Sequence, residues 1–304
     1  MHRQARRSEI PAIELFGTAE APVVVALGGI SSSAHVGPHA GNLHPGWWGP
    51  MVGEGRPLDT TRARIMGMSY GVFSPGPTTT QDQARALARA LDACGIATVR
   101  AIVGASYGGM IGLAFAELFP ERVERLVAIS APHQSHPLST ALRVIQRKII
   151  RLGITANRRS EGVALARALG MTSYRTAEEF AARFTPLPES EREPRSFPVE
   201  DYLDHCGEKF AQQFPPGHYL GLSESLDLHR VDPRRITVPT TVVAVASDTL
   251  VPPSQLQELV EQLAGPVVHH QIPSRYGHDA FLKEIDVVGR IVAESLALEV
   301  AHAS

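Results

Sequence analysis

Short runs of consecutive apolar residues recur along the chain, separated by longer stretches in which apolar positions return every three or four residues. The runs at 23–27, 65–68, 99–103, 126–129, 240–246 and 267–272 have strand length, and unbroken apolarity marks strands covered on both faces. Helix-length patterns occupy 81–94, 107–119, 254–263 and 280–298, several of them ending in Gly or Pro. Strand and helix alternate at both ends of the chain, which predicts a mostly parallel sheet joined by crossover helices.

The middle reads differently. From about Ser135 to Leu228 the text is rich in Arg and Glu, helical in period and without a strand-like run. Its internal break, the proline- and charge-rich stretch 185–198, predicts a loop between helices. The expected organisation is an α/β core from 1–134 and 229–304, interrupted by a helical insertion at 135–228. No internal repeat or low-complexity tract is present.

Composition narrows the function classes. The 304 residues are 43% hydrophobic and 20% charged, an ordinary globular balance that can build a packed core. Lys plus Arg number 29 against 31 Asp plus Glu, a net charge of −2, so no global field exists to hold a polyanion and nucleic acid is not an expected partner. Cys94 and Cys206 are too few for a disulfide framework or a four-thiolate zinc site, and their helix-like surroundings suggest small buried thiols. The basic N-terminus is not followed by a signal-length apolar stretch, and no run approaches the roughly 20 apolar residues of a membrane span. The expected setting is a reducing, cytoplasmic one without membrane contact.

The decisive local text is VRAIVGASYGGMIGLAFAELFPERV (99–123), where an apolar strand runs through Gly104-Ala105-Ser106-Tyr107-Gly108 into a helix. A G-x-S-x-G string alone is common in a Gly-rich chain. Its place between strand and helix is what predicts a nucleophile elbow, with the serine hydroxyl forced out at the sheet edge and the helix N-terminus aimed at the same point. A serine hydroxyl needs a base, and the base an acceptor that fixes its tautomer. In the order Ser, acid, His, Asp248 follows a late strand in SDTLVPP and His278 precedes the last helix in RYGHDAF. An oxyanion hole needs two amides: Tyr107 supplies one by position, and Ile30 or Ser31, in the turn after the first predicted strand, supplies the other. His133 with His136, and the cluster His35, His39 and His44, have no carboxylate at ligand spacing, so no metal is expected.

With these residues in view, the text resembles the homoserine O-acyltransferase family of the α/β-hydrolase superfamily. The likeness is carried by GGISSSAHV (28–36), GWWGPMVGEGRPLDT (46–60), the elbow segment, ALARALGMTSYRTAEEFAARF (164–184), EDYLDHCGEKFAQQF (200–214), SDTLVPPSQ (247–255) and YGHDAFL (276–282). The GWW segment and GHDAFL are far more specific than the elbow, because generic esterases lack them. The resemblance implies an α/β-hydrolase fold with a helical lid. It also implies a ping-pong reaction through an acyl-serine, L-homoserine and acyl-CoA as substrates, no bound cofactor, a role in methionine biosynthesis, and a homodimer formed through the lid. It places Arg167 on the homoserine carboxylate with Tyr174 beside it, and Asp279 on the substrate ammonium.

Two segments depart from the family pattern near the expected donor entrance: RIMGMSYGVFSPGPTTTQDQ (64–83) is abbreviated, and RLGITANRRSEG (151–162) replaces a DP-x-W-like text. The turn GGISSSAH leans toward succinyl-using rather than acetyl-using members. Serine as acceptor, or ester hydrolysis on the same machinery, are the alternatives. Arg143, Arg147 and Arg151 form one stripe opposite Leu142, Ile145, Ile149 and Leu152; that pattern predicts a solvated basic face, with contact to CoA phosphates as the other reading.

Overall fold

The computed structural model describes residues 10–73, 76–187 and 197–297. Seven strands, β1 (Ile13–Gly17), β2 (Val23–Leu27), β3 (Arg64–Met68), β4 (Ala101–Ala105), β5 (Leu126–Ile129), β6 (Thr240–Val245) and β7 (Val267–Ile272), form one sheet in the order β1-β3-β2-β4-β5-β6-β7. All neighbours are parallel except β1, which pairs antiparallel with β3 from Ile13↔Met68 to Gly17↔Arg64. The central strands β2, β4, β5 and β6 are buried along their whole length, as their unbroken apolar text requires.

Helix α1 (Thr80–Ala93) follows β3 and α2 (Tyr107–Leu118) follows β4. Between β5 and β6 come α3 (Pro137–Thr155), α4 (Arg159–Tyr174), α5 (Ala177–Arg183), α6 (Pro198–Ala211) and α7 (Pro216–Asp227). Helix α8 (Pro253–Gln262) joins β6 to β7, and α9 (Ala280–Lys283) and α10 (Ile285–Ala297) close the described chain. One apolar core lies on the face covered by α1, α2 and α8, built on Leu87, Ile111 and Leu256. A second, on the opposite face, packs Trp48, Met51 and Leu58 with Val288 and Val292 of α10. Each fully buried side chain of this size contributes roughly 1.5–3 kcal/mol.

Five details differ from the sequence reading. The edge strand β1 carries no strand signal of its own: IELFG is short and mixes Glu14 with apolar residues, and its pairing partner is β3. The strand expected at 99–103 lies at Ala101–Ala105, with Val99 confined to an isolated bridge to Val123. The single helix expected at 280–298 is broken at Glu284 into α9 and α10, and residue 298 is outside the described residues. Cys94 is exposed at the end of α1 and Cys206 half-buried on α6, so neither is a core thiol. Of the loop expected at 185–198, residues 188–196 lie outside the described residues.

The fifth difference is the orientation of α3, which departs from the expected one in part: Arg151 is exposed and Leu142 and Ile149 are half-buried as expected, but other positions are reversed. Arg147 is buried, Arg143 nearly so, and Ile145 and Leu152 are 49% and 70% exposed. The reason is Asp227, at the end of α7: Arg143 Nε and Arg147 Nη1 each stand 2.6 Å from one of its carboxylate oxygens. A buried acid supplied 84 residues from Arg143 reverses the polarity rule for this helix.

The helical insertion leaves and rejoins the body at one place. Gln134 and Arg230 form an antiparallel bridge and Val231 N–H donates to His133 O at 2.9 Å. Beside them the buried His229 ring bonds Thr80 Oγ1 at 2.8 Å and Pro132 O at 2.9 Å. Inside the insertion, Ile150, Val163, Ala166 and Tyr219 form a small apolar cluster of their own.

Candidate active site

The site is built where β4 ends. Ser106 takes φ 53° and ψ −121° between strand and helix, a conformation rare for a residue with a Cβ, and its N–H donates to Ile129 O at 2.8 Å on the neighbouring strand. Glycine is required on both sides of it. A Cβ on Gly104 would stand 2.5 Å from Gly108 O, and one on Gly108 would stand 2.2 Å from Leu27 O, so the turn closes only because neither carries one. The strain holds the hydroxyl out from the sheet edge and at the N-terminus of α2.

The three residues predicted to act together do meet. His278 Nε2 is 2.7 Å from Ser106 Oγ, and His278 Nδ1 is 2.7 Å from Asp248 Oδ2, across 172 and 30 residues of sequence. The second carboxylate oxygen of Asp248 accepts from the amides of Leu250 and Val251, both at 2.9 Å, so the acid is locked by the turn of SDTLVPP. Burial alone would push the His278 imidazolium down; the charge and hydrogen bond of Asp248 outweigh it, and the imidazole stays protonated above its ordinary range. With Nδ1–H given to Asp248, the neutral ring presents a basic Nε2 to the serine.

A cavity opens over this triad, lined by Ile30, Ser31, Arg143, Arg167 and Tyr174 among others. Ser32 N–H is committed to Gly29 O at 2.9 Å, which makes Ile30 and Ser31 the tip of the turn beneath the cavity. Tyr107 follows Ser106 as the first residue of α2, and its side chain is buried and bonded to Ser225 Oγ at 2.8 Å. The GWW segment also finds its purpose here. Trp47 lines the cavity and stacks on Trp48 at 4.9 Å, and Trp48 Nε1–H donates to Phe281 O at 2.9 Å, tying the front wall of the site to the helix that follows His278.

Comparison with known proteins decides the family. A model of the α/β hydrolase fold matches residues 45–285. The homoserine O-succinyltransferase of Xanthomonas campestris pv. campestris is 43% identical over 287 residues, covering 93% of this chain and 78% of that protein. The chain belongs to the homoserine O-acyltransferase family of α/β hydrolases. A homoserine O-acetyltransferase of Thermobifida fusca is 33% identical over 90% of this chain and 84% of that one. The crystal structure of homoserine O-acetyltransferase from Bacillus anthracis shares the fold at a TM-score of 0.84, covering 95% of this chain and 92% of that chain at 17% identity.

This acyltransferase therefore gives the remaining three predicted residues a defined setting. Arg167 lines the cavity with its guanidinium 5.2 Å from the Tyr174 ring centre and 4.8 Å from that of Phe210. Among the described residues no carboxylate pairs with it. Tyr174 also stands 6.2 Å, ring to ring, from His278. Asp279 lines the cavity at the N-cap position of α9, where its side chain makes no cap bond; its Oδ2 is 2.8 Å from Arg175 Nε, and Arg175 is held in turn by Glu179 at 3.2 Å. Sequence reasoning missed Arg175, whose only signal is its place in the family-like text MTSYRTAEEF, and it set Arg143 on a solvated face rather than in the cavity wall.

Proposed function

We propose that the protein transfers an acyl group, preferentially succinyl, from its CoA thioester to the hydroxyl of L-homoserine through an acyl-serine, in methionine biosynthesis. The observation that carries this reading is the closed Ser106–His278–Asp248 chain beneath a cavity whose wall holds two guanidiniums, Arg143 and Arg167. Arg167 suits the acceptor carboxylate; Arg143, although paired with Asp227 and Ser135, lines the cavity and adds positive charge that an anionic acyl chain would meet and an acetyl group would not.

In the first half-reaction His278 Nε2 takes the Ser106 proton as Oγ attacks the thioester carbonyl. The oxyanion is received by the Tyr107 amide and one amide of the 30–31 turn. Collapse breaks the C–S bond, and the CoA sulfur leaves with the proton from His278. In the second half homoserine binds with its carboxylate on Arg167, beside Tyr174, and its ammonium on the Asp279 oxygen that Arg175 does not hold. Its hydroxyl gives its proton to His278 and attacks the ester, and Ser106 leaves with that proton. No cofactor takes part. The insertion at 135–228 acts as a lid that keeps water from the ester. The apolar stripe that α3 turns outward, Leu138, Ile145 and Leu152 at seven-residue spacing, suits a homodimer of a cytoplasmic enzyme.

The deciding experiment offers acetyl-CoA and succinyl-CoA separately, each with homoserine and with serine, and measures free CoA and product ester. The expected result is O-succinylhomoserine as the favoured product. Ester from serine but not homoserine moves the enzyme to the serine acyltransferases, and CoA release that ignores both acceptors makes it a hydrolase.

A further inference from the structure

The histidine cluster of the loop after β2 lacks a carboxylate only when it is read along the chain. The antiparallel pairing of β1 with β3 brings one from 21 residues away: Glu14 Oε2 lies 2.6 Å from His35 Nδ1 and 3.4 Å from His39 Nε2. One ligand atom from each of these three residues falls within 4.8 Å of the other two.

We propose that Glu14, His35 and His39 form a binding site for a divalent transition-metal ion of the zinc type, with water completing a four-coordinate shell. Three features of the arrangement carry this. First, with metal–ligand bonds of about 2.0–2.1 Å, two ligands of a tetrahedral ion stand about 3.3 Å apart, close to the 3.4 Å between Glu14 Oε2 and His39 Nε2. Second, His35 is supported as a ligand should be: its far nitrogen, Nε2, faces the His44 carbonyl at 2.7 Å, which fixes Nε2–H as donor and turns Nδ1 toward Glu14. Third, His39 Nε2 is buried and, among the described residues, has no polar partner other than Glu14 Oε2 at 3.4 Å, while its ring is held flat on Phe16 at 4.3 Å. Phe16 lies two residues beyond Glu14 on the same face of β1, so one strand both aims the imidazole and supplies the acid.

Loading the site has a defined cost. The hydrogen between His35 Nδ1 and Glu14 Oε2 leaves to solvent, and these two atoms, now 2.6 Å apart, separate by about 0.7 Å to the tetrahedral spacing. His39 transfers its remaining proton to Nδ1, releasing the Gly41 amide that now donates there at 3.1 Å. The donor set, two imidazoles and one carboxylate, suits Zn²⁺, Co²⁺ or Ni²⁺ far better than Ca²⁺ or Mg²⁺. Its place is bracing rather than chemical: the ion ties the edge strand to the loop that begins with Ile30 and ends at Trp47.

The test uses the full chain without a histidine tag, stripped with a chelator and dialysed against Zn²⁺ or Co²⁺. The expected result is saturable binding of one ion per chain, visible Co²⁺ absorption of a four-coordinate complex, and a higher Tm with metal than with Mg²⁺. Glu14→Gln and His39→Gln should each weaken Zn²⁺ binding by more than the roughly 10–100-fold that loss of a supporting partner costs. His44→Gln keeps the backbone carbonyl and should leave binding unchanged. Circular dichroism establishes that each variant is folded; if His39→Gln fails that check, Glu14→Gln alone decides. Absence of saturable binding, or binding that survives these substitutions, overturns the proposal. Neither outcome touches the acyltransferase reading, which rests on other residues.

Discussion

The α/β body and the helical insertion are held together by different forces. The body has two extended apolar cores, one on each face of a sheet whose central strands are fully buried. The insertion has a small apolar cluster around Ile150 and Tyr219 and relies on buried charge: Arg143 and Arg147 on Asp227, and Arg175 between Glu179 and Asp279. It even turns Ile145 and Leu152 outward. Apolar burial is non-directional and fixes a scaffold, whereas paired charges hold only in one geometry and lose heavily when one member goes. Ser106, Asp248 and His278 all come from the body. Arg143, Arg167 and Tyr174 come from the insertion, and Asp279 is held by it. In the function proposed above, the chemistry thus sits on the insensitive part and substrate selection on the sensitive one.

The widest separation between the two parts is expected from Ser106→Ala, which removes the nucleophile while leaving both intact. CoA release should fall by at least about 10⁴-fold, read as the burst of free thiol on mixing with acyl-CoA; unaltered turnover would sink the acyl-serine route. Next, Asp227→Ala leaves two buried guanidiniums unpaired at a cost of about 3–5 kcal/mol. It should raise hydrolysis of the acyl-enzyme relative to transfer while the burst persists. Ile102→Ala, in the body, costs a comparable 2–5 kcal/mol but should lower Tm and leave the ratio of transfer to hydrolysis alone. Equal effects of the two on that ratio would erase the distinction.

Arg167→Ala should raise the homoserine KM by roughly 10–100-fold, the value of a charged hydrogen-bonded contact, without slowing the burst. The smallest effect is that of pH. His278 must be neutral to act as base, and its pKa is raised, so the burst rate should climb with pH and level off only above the usual histidine value of about 6.5. Asp248→Asn removes the charge that raises it, and should move that inflection down as well as lower the plateau.

The sequence exposed the triad well because each member is announced by its own neighbours. The elbow glycines surround Ser106, SDTLVPP encloses Asp248 in a turn whose amides it accepts, and GHDAF sets His278 before a helix. The central strands were equally plain, being apolar throughout. What stayed hidden depends on partners far away in the chain. Strand β1 becomes a strand by pairing with β3, and α3 faces inward because Asp227 waits on α7. Glu14 meets His35 only after that pairing has formed. Charge was the misleading signal in each region, since a buried, paired arginine and a solvated one are written identically.

The Gln134↔Arg230 bridge brings the two ends of the insertion side by side, while the register of β5 on β6, Leu126↔Thr240, is set entirely within the body. The insertion therefore spans one short gap between two neighbouring strands, and its helices can be lengthened or replaced without shifting the register of the sheet so long as their ends stay side by side. A change of helices there would reshape the cavity wall while leaving the contacts among Ser106, His278 and Asp248 in place.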